Sequence, residues 1–96
     1  MKPSTALSLH ADFIRDLTSQ YGMHNIRVFG SVLHGVDAED SDLDLLVDAP
    51  LGVTLLDIIG LQQTIEDKLG VSVDILTEQD LPLSFRKKVV QEATPV

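Results

Sequence analysis

Residues 29–48 read Phe29-Gly30-Ser31-Val32-Leu33-His34-Gly35-Val36-Asp37-Ala38-Glu39-Asp40-Ser41-Asp42-Leu43-Asp44-Leu45-Leu46-Val47-Asp48. A Gly-Ser pair is followed ten residues later by two aspartates flanking a leucine. Gly30 offers a backbone that a ligand can approach closely, and Ser31 a hydroxyl of the kind that holds a phosphate. Asp42 and Asp44 stand at strand spacing, i and i+2, so both carboxylates leave the same side of a strand and can share a hard cation. Leu45, Leu46 and Val47 follow at once and supply the apolar run of that strand.

Other motifs fail on inspection. Gly30 to Gly35 has the spacing of a P-loop, but Val36-Asp37 stands where Lys-Ser/Thr is required. Asp40-x-Asp42-x-Asp44 opens like an EF-hand loop, yet the turn glycine is replaced by Leu45 and the closing glutamate by Leu51. His10, His24 and His34 have no zinc-binding spacing, which predicts surface or capping roles. Asp37, Glu39, Asp40 and Asp48 read as solvated loop charges.

The remaining sequence bounds the possibilities. Ninety-six residues, 44% hydrophobic and 23% charged, predict one domain over residues 1–96 with a single modest core. The net charge is −8, Trp is absent and Tyr21 is the one tyrosine. Nucleic-acid binders need clustered cations and stacking aromatics, so direct nucleic-acid binding is not expected, and a basic protein surface is the better electrostatic match. The absence of cysteine removes disulfide, thiolate and zinc-thiolate chemistry. No apolar stretch is long enough for a signal-peptide core or a membrane span, so a cytoplasmic protein is expected.

Outward from the central stretch, the apolar spacing predicts a helix over 5–20, capped by Ser4 or Thr5 and stopped at Gly22. A strand follows over 25–29, then a turn with one helical turn inside it over 30–35 and an acidic loop over 36–41. The second strand spans 41–48, with Leu43, Leu45 and Val47 on one face and Asp42, Asp44 and Leu46 on the other. Thr54 caps a helix ending at Gly70, whose apolar stripe is Leu55, Ile58, Ile59, Leu61, Ile65 and Leu69. A third strand over 71–77 sets Val71, Val73 and Ile75 on one face and Asp74 on the other. Pro82 opens a last helix to about Ala93, with Arg86-Lys87-Lys88 as an exposed basic face. The order implies an α/β (α+β) sandwich, a small mixed sheet covered by helices.

Gly30-Ser31, ten intervening residues and Asp42-x-Asp44 resemble the signature of the polymerase-beta-type nucleotidyltransferase superfamily. The short chain resembles its minimal nucleotidyltransferases, commonly antitoxin partners of HEPN-domain toxins. The resemblance covers residues from about 26 to 76 and implies a polymerase-beta-like fold. It further implies that Asp42 and Asp44, with Asp74 as the third carboxylate, hold two Mg²⁺ ions and carry catalysis, and that Gly30 and Ser31 bind a nucleoside triphosphate such as ATP. AMP or another NMP would then pass to a hydroxyl of a partner protein, a HEPN toxin. Read alone, Asp74 could equally be a surface residue of a half-exposed strand. Many relatives carry basic residues between the glycines, where this chain has Val32 and His34. That departure motivates a second reading, an antitoxin that neutralises its partner by binding alone.

Overall fold

The computed structural model describes residues 1–96. Its elements are α1 (Pro3–Gln20), β1 (His24–Phe29), α2 (Gly30–His34), β2 (Leu43–Asp48), α3 (Leu55–Leu69), β3 (Val73–Leu76), a 3-10 turn at Glu78–Asp80, α4 (Leu83–Glu92) and β4 (Thr94–Pro95). They form one four-stranded mixed sheet in the order β3-β2-β1-β4. The neighbours β1 and β2 are antiparallel, while β2 and β3 are parallel and therefore need the crossover that α3 provides.

The strand parity holds. Ile26, Val28, Leu43, Leu45, Val47, Val73 and Ile75 all lie in the main core, joined by Ile14 of α1 and Leu61, Ile65 and Leu69 of α3. Arg27, Phe29, Asp44, Leu46, Asp74 and Leu76 project from the opposite face, because residues paired across strands share a face. That second face is not bare: Leu46 and Leu81 are buried outside the main core.

Several expectations are corrected. The helix α1 starts at Pro3, where a missing N–H costs nothing, and neither Ser4 nor Thr5 caps it by a side chain. The backbone N–H of Ser4 instead donates to Asp37 Oδ2 at 2.9 Å. Asp37 is thus a buried tertiary cap, not a solvated loop charge. Asp48 is also engaged: it accepts from Arg27 Nη2 at 2.8 Å and from Asn25 Nδ2 at 2.9 Å. The second strand begins at Leu43, because residues 38–41 close into a turn in which Ser41 Oγ accepts from the Ala38 N–H at 2.8 Å. At the start of α3 the inward positions are taken by Val53, just before the helix, and by Ile58, leaving Leu55 and Ile59 exposed. Arg86 is no free cation, since it donates to the carbonyls of Gln79 and Leu81. The last helix stops at Glu92, and Thr94–Pro95 adds an edge strand against β1.

Edge strand β3 is protected by the helix that precedes it. The N–H of Val73 donates to Glu66 Oε2 at 2.9 Å and that of Ile75 to Gln62 Oε1 at 3.2 Å. These bonds satisfy outward N–H groups that would otherwise template another chain. They also clamp the backbone on both sides of Asp74.

The Ser4 bond holds the Asp37 carboxyl below its ordinary value. A lowered carboxyl adds stability above its unfolded pKa, which is lost as pH falls through the folded value. Thermal melts of Asp37→Asn should therefore lie below wild type at pH 7, with the gap closing below about pH 4. A gap that is the same at every pH would show that the charge of Asp37 does not hold α1.

Candidate active site

The end of β1 and the starts of β2 and β3 meet at one edge of the sheet. Phe29 pairs with Asp44, and Asp44 pairs with Asp74, so Asp44 lies between the last residue before Gly30 and the third carboxylate. Asp42 immediately precedes β2, and the Leu43 N–H donates to the Ser72 carbonyl at 2.8 Å. This bond ties the entrances of the two parallel strands together, and the charges of both Asp42 and Asp74 act on Asp44. Asp42 and Asp74 are exposed, and Asp44 is half-buried.

Gly30 is required here for two independent reasons. Its φ of +74° lies in the left-handed region, which costs an L side chain about 1–2 kcal/mol. An added Cβ would also run into Asp44 Oδ2, with Asp44 Cγ at 3.1 Å and Cβ at 3.3 Å. Ser31 then enters α2, which Gly35 ends with φ +70°. The fold thus brings the predicted Gly30, Ser31, Asp42, Asp44 and Asp74 to a single edge of the sheet.

The electrostatics of this edge are unbalanced. Burial, then the neighbouring charges of Asp74 and Asp42, push the Asp44 carboxyl up to about 6. No cation offsets them. Arg27 is committed to Asp48, Arg86 to the carbonyls of Gln79 and Leu81, and Arg15 to Asp12 and the Val96 carbonyl. His34 has Nε2 3.3 Å from Glu92 Oε2 of α4.

An all-oxygen donor set of this kind suits a hard divalent cation. The side chains do not close a cage by themselves, for no group of three or more His, Asp or Glu encloses an ion position. Magnesium sites in phosphoryl-transfer proteins have this open form, with a few carboxylates completed by water and substrate phosphate. The residues therefore fit such an ion.

Residues 10–96 match the nucleotidyltransferase domain family. The chain belongs to that family. It is similar to the protein adenylyltransferase MntA of Thermococcus cleftensis, with 37% identity over 82 residues, 85% of this chain and 83% of the relative. A solved structure described as a minimal nucleotidyltransferase superposes with a TM-score of 0.87 at 43% identity, covering 100% of this chain and 97% of that one. A toxin–antitoxin crystal structure with AMP-PNP superposes at TM-score 0.74 and 22% identity over 88% of this chain and 69% of that one, a likeness of fold. This protein is thus a minimal nucleotidyltransferase.

Sequence reading missed the residues that hold the site. Glu66 and Gln62, which fix the backbone around Asp74, look in the sequence like ordinary exposed positions of an amphipathic helix. The outward N–H groups of an edge strand were the one signal that such partners exist.

Two variants separate the causes. Gly30→Ala should destabilise the protein more than Gly35→Ala in chemical denaturation, because both positions have positive φ but a Cβ at Gly35 meets nothing within 4 Å. Equal losses would exclude the close approach to Asp44. For Asp44, the folded protein retains a proton between the ordinary 3.8 and about 6 that the unfolded chain releases. Stability is therefore lost as pH rises through that window and stays lower above it. Without metal, Asp44→Asn should melt higher than wild type at pH 7 to 8, with the gain fading toward pH 4.

Proposed function

We propose that residues 1–96 form one catalytic domain that transfers an NMP, in first choice AMP from ATP, to a hydroxyl on a partner protein in the cytoplasm. The partner is an antitoxin's cognate HEPN-domain toxin, silenced by the modification. The single observation that carries this reading is the pinning of Asp44 between Gly30 and Asp74, with Asp42 beside it and no cation to balance the charge. The name of the Thermococcus relative supports protein adenylylation, and the toxin–antitoxin assembly of a like fold supports the toxin partner and the nucleotide. No helix is long and apolar enough to cross a membrane.

In this reading Gly30 and Ser31 hold the phosphates. Asp42 and Asp44 would hold two Mg²⁺ ions, with Asp74 completing the set on the acceptor side. Such ions would supply neutralisation of the triphosphate charge and easier ionisation of the acceptor hydroxyl. The exposed Asp74 carboxylate takes the acceptor proton. The acceptor oxygen bonds to the α-phosphorus, the bond to the bridging oxygen breaks, and pyrophosphate leaves with its electron pair. Transfer of this type asks for positioning and charge, and little covalent work by side chains.

A second reading has its own observation. Val32 and His34 stand where many relatives carry basic residues, and His34 is already paired with Glu92. A protein that holds the nucleotide weakly would neutralise its partner by binding alone.

Incubation with labelled ATP, Mg²⁺ and the product of the adjacent reading frame should label that product. The Asp42→Ala, Asp44→Ala double variant should not transfer label and should fail to neutralise the toxin on co-expression. Full neutralisation by the folded double variant would establish masking. In addition, millimolar Mn²⁺ should raise the melting temperature of wild type, since a ligand at a hundredfold excess over Kd stabilises by about 2.7 kcal/mol. Asp42→Asn should lose most of that increment.

A further inference from the structure

The turn after β2 and the start of α3 present large apolar side chains to solvent at the end of the sheet away from the carboxylates. Leu51 is fully exposed, Leu55 is 70% and Leu56 79% exposed, and Ile59 of the next turn is also exposed. The backbone beneath them is rigidly built. Thr54 and Asp57 form a reciprocal capping box, Val53 packs on the core, and Gly60 lets α3 approach the Tyr21 ring so closely that an added Cβ would stand 3.0 Å from it. The leucines are therefore held outward by a fixed helix start and not by a loose loop.

The same end of the sheet is acidic. Asp48 and Ala49, at the end of β2, line a small cavity of about 160 Å³ together with Glu78 and Gln79 of the 3-10 turn. Ala49 is two residues from Leu51, so the carboxylates of Asp48 and Glu78 stand at the end of the sheet that carries the apolar surface. Asp48 already pairs with Arg27, which leaves the exposed Glu78 as the free charge of the pair.

We propose that this surface docks the acceptor protein, through an apolar helix face of that protein bordered by Lys or Arg. The inference rests on the protein-modifying function proposed above. Charge chooses the occupant. A second copy would bring one chain of net charge −8 against another. A partner with basic margins gains attraction from the same charge.

The placement also suits catalysis. Asp44 and Asp48 are separated by four residues of strand, about 13 Å, so a partner gripped at one end of β2 leaves the carboxylate edge open for its acceptor segment. Docking energy spent far from the reacting atoms orients the acceptor hydroxyl at the site.

The test measures binding of the purified acceptor protein by calorimetry at two salt concentrations, with sedimentation of the free protein alongside. The Leu55→Asp, Leu56→Asp double variant should weaken binding by about tenfold or more, as loss of central apolar anchors does. Its melting temperature and its Mn²⁺-dependent increment should stay those of wild type. Leu55→Ser with Leu56→Ser should act in the same direction, and Glu78→Lys should reduce both affinity and its salt dependence. In the transfer assay the KM for the acceptor protein should rise while kcat holds. Wild-type affinity in both leucine variants would overturn the docking surface while leaving the proposed function intact. No binding by wild type would overturn both. A wild-type dimer that the leucine variants dissociate would assign the surface to a second copy of this chain.

Discussion

The close approach of Gly30 to Asp44 is the constraint on which the rest depends. A side chain at Gly30 would collide with the Asp44 carboxylate, and the left-handed backbone there turns the chain from β1 directly into α2. The same turn carries the chain past Asp44 and sets Ser31 in the first turn of α2. Asp44 in turn pairs with Asp74, so one contact fixes the relation between the Gly-Ser corner and two strands. The core face of the sheet supplies the rigidity, since residues flanking each aspartate, Leu43, Leu45, Val73 and Ile75, are all buried.

Such a site works against the stability of the empty protein. Burial and two neighbouring carboxylates push Asp44 up to about 6, with no arginine free to compensate. Packing elsewhere must hold the charges together, and the clamp of Glu66 and Gln62 on β3 is one visible means. A cation bound beside these carboxylates would offset their repulsion, and its binding would then be coupled to folding. The chain's three arginines all serve the scaffold, holding the Asn25 carbonyl, the 3-10 turn and the last residue.

Much of this was legible in the sequence because it rests on local rules. Strand parity placed Asp42, Asp44 and Asp74 opposite the apolar positions, and the Gly-Ser to Asp-x-Asp spacing identified the corner. What escaped is non-local or too short to be periodic. Asp37 caps a helix start 33 residues away, a partnership that no spacing encodes. The strand Thr94–Pro95 has two residues and is made by its pairing with Arg27 and Val28. The apolar stripe of α3 was read one turn too far toward its start, since composition cannot tell a leucine that covers a core from one held outward. His34 pairs with a residue of the last helix, which only the return of that helix toward α2 makes possible.

The central claim is that Asp44, held by Gly30 and Asp74, forms with Asp42 the seat of a divalent ion and a nucleoside triphosphate. Equilibrium binding of Mn²⁺ in the presence of a non-hydrolysable ATP analogue, followed by electron paramagnetic resonance, tests it most directly. The account predicts saturable binding by wild type and, for Asp44→Asn, a loss of at least the roughly tenfold that removal of even a supporting partner of a metal ligand brings. Equal Mn²⁺ binding by wild type and folded Asp44→Asn would contradict it.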